Sequence, residues 1–331
     1  MTKPRILLVA TGGTIASAED GNGLTPQLTG EQLAGYVPQA AELADIDIVQ
    51  PMNIDSTNMR PADWQAIGDA ILAQYEDYDG FVVLHGTDTM AYTAAALSYL
   101  IQDSPRPIVL TGSQQPMGSP FTDARINLYQ SVLYATDPDS HDVAVVFGGK
   151  VVAGTRARKQ RTMSFNAFTS VNYPELALIR NDRIIRTAPA GSGDVHTTSE
   201  PHVYHDLDER VFVLKLTPEI NPSVFELLRR DYDAIILETF GIGGIPDTLH
   251  DAIFGWVDSG RTLVVTTQVP EEGLDLGVYE VGRAYAEHPG ILKGADMTCE
   301  ALVAKTMWAL GQTREPERLR ELFYRPVNCD R

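Results

Sequence analysis

GFVVLHGTDTMAYTAAALSYLI, Gly80 to Ile101, decides the architecture. Gly80–Leu84 is a short apolar run bounded by polar residues, the mark of a strand buried on both faces. A polar turn, His85-Gly86-Thr87-Asp88, follows, and Thr89–Ile101 repeats apolar residues at helical three-to-four spacing. Strand, turn and helix in about twenty residues is half of a βαβ unit, which requires a parallel sheet.

Outward from this stretch the rhythm repeats. Ile6–Ala10, Ile46–Gln50, Pro107–Leu110 and Val143–Phe147 read as further strands, and Pro61–Tyr75 and Asp123–Thr136 as further helices. Pro61 and Asp63 suit a first helical turn, with Arg60 just ahead. A second, smaller series begins near Val211, with strands at 211–215, 234–237 and 262–266. Its helices fall at 223–230 and 248–258, and terminal helices cover 299–310 and 316–323. The expected fold is α/β in two domains: a larger N-terminal domain with a mainly parallel sheet flanked by helices, and a smaller Rossmann-like C-terminal domain. Polar Thr187–Glu209 (TAPAGSGDVHTTSEPHVYHDLDE) reads as a linker or exposed hairpin. The expected boundaries are 1–186, 187–209 and 210–331. No fixed-period repeat or low-complexity tract is present.

The 331 residues carry a net charge of -18, which repels nucleic acid and anionic membranes. The N-terminal apolar run is too short for a signal peptide, and no stretch reaches membrane-spanning length. Cys299 and Cys329 are the two cysteines, outside any zinc-ligand spacing and too few for a disulfide framework. A cytoplasmic protein is expected, binding neither metal nor organic cofactor.

Ligands of an open parallel sheet sit beyond the carboxyl ends of its strands. The segments there are alike: Thr11-Gly12-Gly13-Thr14 in VATGGTIAS, Asp55-Ser56-Thr57-Asn58 in MNIDSTNM, Thr87-Asp88-Thr89 in LHGTDTM, and Thr111 with Ser113 and Gln114 in LTGSQQPM. Hydroxyls, amides and carboxylates on one rim suit a compact polar ligand. TGGT matches neither the GxGxxG nucleotide fingerprint nor a P-loop. Each motif also has a plainer reading. TGGT serves as a tight turn, and Thr87 or Asp88 serves as the helix N-cap. His85 tempts as a general base, but at a strand end a satisfied structural role is commoner. GTRARKQR holds Lys159 among Arg156, Arg158 and Arg161. The plain reading is a solvated basic loop; a partly desolvated lysine crowded by cations would instead lose its proton more easily. Hydroxyl, carboxylate and lysine together make a proton-transfer chain.

TGGTIAS with LHGTDTMAYTAAALSYL resembles the paired threonine motifs of the bacterial-type L-asparaginases. GTRARK, ETFGIGGIPD and GADMTCEALVAKTMWALG resemble later blocks of the type I, cytoplasmic branch, so the likeness covers nearly the whole chain. The resemblance implies that Thr14 is a nucleophile and that Thr87, Asp88 and Lys159 form a second triad relaying protons. It also implies that Asp88 binds the substrate ammonium and that Ser56, with the backbone near Thr57, binds its carboxylate. The Thr87 N–H would help stabilise the oxyanion. Gly13, Asp55, Ser113 and Gln114 complete the expected substrate site. The implied activity is hydrolysis of L-asparagine to L-aspartate and ammonia through an acyl-enzyme. The implied assembly is a homotetramer, a dimer of dimers in which the C-terminal domain of one chain completes another's site.

Two departures from the pattern carry expectations. Leu24, in SAEDGNGLTPQLTG, stands where many relatives place a lid tyrosine, so the activator of Thr14 is left among Thr87, Lys159, Thr25, Tyr36 and Tyr279. Gly244 stands where many place an asparagine, and Glu238, Arg158 and Val269 align with an effector site of some type I members. A carboxylate at 238 would repel an effector carboxylate, so hyperbolic kinetics are expected. Asp275 and Tyr279, in VPEEGLDLGVYEVGR, are weaker candidates for a contribution across a subunit contact. Three rivals remain: a glutaminase-asparaginase, an amidotransferase subunit (which normally carries an extra N-terminal domain), and a non-catalytic amino-acid sensor.

Overall fold

The computed structural model describes residues 3–13, 15, 17–19, 24–26, 35, 37–187, 200–277 and 280–331. At 17–19, 24–26 and 280–283 only the backbone is described. The chain divides into two compact units, one of residues 1–205 with 327–329, the other of 206–326 with 330–331.

In the first unit an eight-stranded sheet forms the centre. Its strands are β1 (Arg5–Ala10), β2 (Asp45–Val49), β3 (Gly80–Leu84), β4 (Ile108–Thr111), β5 (Val143–Phe147), β6 (Lys150–Ala153), β9 (Ala177–Arg180) and β10 (Arg183–Arg186). A separate antiparallel pair, β7 (Ala157–Lys159) and β8 (Phe168–Ser170), lies between β6 and β9 in the chain. The spatial order is β10-β9-β6-β5-β4-β3-β1-β2, with β1 to β5 mutually parallel and the β5-to-β10 side antiparallel. From β1 the chain goes to β2 on one side, then returns past β1 to β3 on the other. Such a reversal opens a crevice beyond the carboxyl ends of the two diverging strands, here after Ala10 and Leu84, which pair in register.

The five residues of β3 and of β5 are all buried, as strands covered on both faces must be. Helices α1 (Pro61–Leu72), α2 (Met90–Leu100) and α3 (Ala124–Ala135) connect them. Helix α2 has buried residues at every position but one, and its three consecutive alanines let it lie against β5 and β7. Helix α1 begins as expected: Pro61 needs no amide partner at N1, and Asp63 Oδ2 accepts the Arg60 N–H at 2.8 Å. One side of the sheet shares an apolar cluster that includes Ile6, Leu8, Val82, Leu84, Val109 and Leu128.

The antiparallel side is not among the strands expected from the sequence. Gly148 and Gly149 adopt φ of +59° and +75° and turn β5 directly into β6. Residues 188–199, the centre of the expected linker, lie outside the described residues. Beyond them His202–Val203 pairs with Ile101–Gln102 in the first unit.

The second unit holds four parallel strands in sequential order, β11 (Val211–Lys215), β12 (Ala234–Thr239), β13 (Thr262–Thr267) and β14 (Ile291–Lys293). Helices α4 (Val224–Leu228), α5 (His250–Asp258) and α6 (Glu280–Glu287) alternate with them along the chain. The core gathers Phe225, Leu237, Ile253, Trp256 and Val265. Helix α7 (Cys299–Gln312) is capped by Thr298, whose hydroxyl accepts the Ala301 N–H, and is buried from Ala301 to Leu310. Within that span Lys305 pairs with Asp330 at 2.5 Å, both side chains fully excluded from solvent. No described helix is long and apolar enough to cross a membrane.

Candidate active site

Three loops meet in the crevice after β1 and β3. After β1 the backbone locks onto the Ile54 loop: Gly13 N–H donates to Ile54 O (3.1 Å) and Ile54 N–H to Thr11 O (2.9 Å). Gly13 has a φ of +80°, and a Cβ there would lie 2.3 Å from Gly86 Cα. A Cβ on Gly86 would in turn lie 2.5 Å from Ser56 Oγ. The glycines of TGGT and HGTD therefore exist so that two backbones and a serine can touch. The turn is tight against the loop that carries Ser56. Thr14 lies outside the described residues.

Ser56 is buried and opens a 3-10 turn, Ser56–Asn58. Asp55 caps that turn, accepting from Thr57 N–H at 2.8 Å and from the Thr57 hydroxyl at 2.9 Å. The Thr89 hydroxyl donates to Ser56 O at 2.8 Å and ties this turn to the start of α2.

Thr87, Asp88 and Lys159 are brought together. Lys159 Nζ, on β7, donates to Thr87 Oγ1 at 2.8 Å and to Asp88 Oδ1 at 2.5 Å. The Asp88 side chain is 57% exposed and that of Lys159 17%. An ion pair with one partner that open adds little to stability, so its value is positional. Helix capping does not explain these residues: Thr89 occupies the cap position, and Lys159 takes Thr87 and Asp88. Two of the neighbouring arginines are engaged elsewhere. Arg156 Nε donates to Cys329 O at 2.6 Å, with its guanidinium over the Tyr173 ring, and Arg161 donates to Asn166 O at 3.0 Å. The charge in contact with Lys159 is a carboxylate.

After β4, Ser113 is fully buried and its hydroxyl donates to Gln115 O at 2.6 Å. Gln114 Oε1 accepts from the Thr87 hydroxyl at 3.3 Å, while its amide donates to Ser164 O at 3.2 Å. Two residues that the sequence does not single out hold this loop. Buried Asp123 accepts the Gln114 and Gln115 N–H groups, and Asn127 joins Gly112 O to Gly148 N–H. In sequence both are ordinary early residues of a helix, and only the fold turns them toward β4.

His85 is fully buried with both ring nitrogens engaged, Nδ1 with Gly86 O at 2.7 Å and Nε2 with the Thr93 hydroxyl at 2.9 Å. Burial pushes its pKa down to about 4, against the opposing pull of the Gly86 carbonyl. A group so satisfied is not available as a general base.

Of the weaker candidates, Asp275 lies in the second unit. Its N–H donates to Ile242 O (3.0 Å) and its Oδ1 accepts from Gly277 N–H (2.8 Å). Leu24 and Thr25 lie on a short strand paired with Ser17–Glu19, with only their backbone described, and Tyr36 and Tyr279 lie outside the described residues. Glu238 and Val269 belong to the second unit, Arg158 and Lys159 to the first. Among the described residues no three His, Cys, Asp or Glu side chains gather as a metal site.

Residues 5–190 match the family described as "Asparaginase, N-terminal", and 210–323 match "Glutaminase/Asparaginase C-terminal domain". An L-asparaginase of Thermococcus kodakarensis is 39% identical over 330 residues, covering 98% of both chains. The solved structure of the thermostable L-asparaginase from that organism superposes with a TM-score of 0.88, at 37% identity over 98% of each chain. L-asparaginase 1 of Escherichia coli is 35% identical, covering 97% of this chain and 96% of that one. A glutamyl-tRNA(Gln) amidotransferase subunit of Aeropyrum pernix is 36% identical, over 97% of this chain and 78% of its own.

Proposed function

The chain belongs to the asparaginase family of amidohydrolases, and from that premise we propose that it hydrolyses the side-chain amide of L-asparagine to L-aspartate and ammonia. The observation that carries the proposal is the contact of Lys159 Nζ with both Thr87 Oγ1 and Asp88 Oδ1, beside the Gly13–Gly86 approach at the β1/β3 crevice. Thr14, next to Gly13, attacks the amide carbon and passes its hydroxyl proton to the Thr87–Lys159 relay, giving a tetrahedral oxyanion that the Thr87 N–H stabilises. Collapse breaks the C–N bond, leaving a Thr14 ester, and the nitrogen departs as ammonia with that proton returned through Thr87 and Lys159. Water then attacks the ester, releasing aspartate and restoring the Thr14 hydroxyl.

A zwitterion needs an anion for its ammonium and donors for its carboxylate. Asp88, more than half exposed on one side of Lys159, serves the first, and Ser56 with the Thr57 backbone serves the second. Asp55 holds the Ser56 turn, Gly13 leaves room for substrate, and Ser113 and Gln114 line the Thr87 side. Residues 1–186 form the catalytic domain and 210–331 the domain that completes a neighbour's site in a homotetramer. Asp275 and Tyr279 contribute across that contact. Packing of the segment bearing Leu24 excludes water from Thr14, and the protein acts in the cytoplasm.

Broader use of glutamine is the second reading. One methylene is worth roughly 1–3 kcal/mol in a pocket, and the likeness to an amidotransferase subunit keeps glutamine chemistry in view. The deciding experiment is ammonia release, as kcat/KM for L-asparagine beside L-glutamine, with Thr14→Ala as control. Loss of an essential nucleophile lowers kcat on the order of 10⁴-fold. No release from the wild-type protein with either amino acid would leave only a binding role.

A further inference from the structure

We propose that His85 is a positioning residue that aims the Thr87 backbone N–H, by clamping the carbonyl of the peptide unit to which that N–H belongs. The assignment deepens the functional reading above and rests on it.

The Gly86–Thr87 peptide is planar and trans, so its C=O and N–H point in opposite directions and turn together. Holding the Gly86 carbonyl therefore fixes where the Thr87 N–H points. His85 Nδ1 lies 2.7 Å from Gly86 O. A carbonyl can only accept, so Nδ1 must carry the proton. Nε2 is then the bare nitrogen, and it accepts the Thr93 hydroxyl at 2.9 Å. Both groups are fully buried, and Thr93 lies on α2, whose burial fixes it in turn. The tautomer is thus imposed by the fold.

Gly86 makes such a clamp necessary. With no side chain, a glycine peptide rotates more freely than any other, and Gly86 is required here because a Cβ would strike Ser56 and approach Gly13. The same small residue that lets three loops meet would leave the next N–H loosely aimed. His85 restores the aim from below, where it occupies no substrate space. Among the described residues no backbone acceptor meets the Thr87 N–H, which leaves that donor for an oxyanion. An oxyanion donor acts through prior orientation, and misaiming it costs rate rather than binding.

The test compares His85→Leu with His85→Asn. Leucine fills similar apolar volume without a donor, whereas asparagine Nδ2 sits the same number of bonds from Cβ as histidine Nδ1. For L-asparagine we expect His85→Leu to lower kcat about 10- to 100-fold with KM within about threefold, and His85→Asn to return kcat to within about fivefold of wild type. The wild-type imidazole, read by ¹⁵N shifts, should keep a protonated Nδ1 and a bare Nε2 from pH 5.5 to 8, which needs no variant to fold. A His85→Leu enzyme of unchanged kcat, equal kcat for the two variants, or a proton on Nε2 overturns the assignment while an active wild type leaves the functional reading standing. A wild type that releases no ammonia removes both.

Discussion

Burial of the His85 imidazole makes one residue a pH-dependent term in stability. Its folded pKa of about 4 lies below the ordinary 6.5, so the unfolded chain binds the proton more readily. The stabilising contribution is complete above about pH 6.5, declines as pH falls toward 4, and is gone below that, a total of about 3 kcal/mol. Urea unfolding at pH 7 and 4.5 should show His85→Asn losing less stability than wild type between the two; equal losses would contradict it. At the same scale, Lys159→Met should lower kcat by about 10²–10⁴-fold, the span of a proton-transfer group, with little change in melting temperature because its partner Asp88 is largely solvated. The sequence supplied the types and neighbourhoods of Thr87, Asp88 and Lys159, since all follow strand ends or a basic turn. It could not supply the partners that hold the neighbouring residues His85, Gln114 and Gln115. Thr93, Asp123 and Asn127 look like any helix residues until the helices are set against the sheet.

The strands of the parallel half of the sheet were legible, β2 among them although it is partly exposed, whereas β6 was missed although three of its four residues are buried. Strands β1, β3 and β5 are continuous apolar runs because both faces are covered, and their helices carry the helical period. Strands β6 to β10 were not legible, for they are three or four residues long and mix charged or hydroxyl side chains with apolar ones. The local signals there were Gly148-Gly149, both at positive φ between β5 and β6, and Asn181, at φ +57° in the two-residue turn between β9 and β10. Loop packing at the crevice yields a separable prediction. Gly86→Ala places a methyl against Ser56, so it should raise KM for L-asparagine at least about tenfold by displacing the proposed carboxylate site. Gly118→Ala, where a Cβ meets nothing within 4 Å, should leave KM within about twofold. Michaelis curves of the two variants side by side check the pair.

For the whole molecule, the second unit holds its own stake in the Lys305–Asp330 pair. Lys305 Nζ also donates to Arg325 O at 2.7 Å, so one buried amine joins α7 to the segment following α8 (Pro316–Tyr324). Removing one charge leaves the other buried without its ion-pair partner, at a cost of about 3–5 kcal/mol. Lys305→Met should therefore destabilise strongly. The pair Lys305→Met with Asp330→Asn should cost less than the sum of the single changes, as chemical denaturation would report. Asparagine saturation of the purified protein should be hyperbolic, given the Glu238 carboxylate. A Hill coefficient clearly above one would refute that expectation.

Residues 327–329 belong to the first unit although the second unit precedes them in the chain. Asn328 Nδ2 donates to Ser98 Oγ and to Val143 O, both at 2.8 Å, and its carbonyl accepts the Thr155 hydroxyl at 2.5 Å, just ahead of β7 and Lys159. A ribosome adding about 5–20 residues per second needs on the order of ten seconds to pass from residue 205 to 328. During that interval the turn at Thr155, which leads into β7 and Lys159, lacks the bond to Asn328 that holds it in the folded unit.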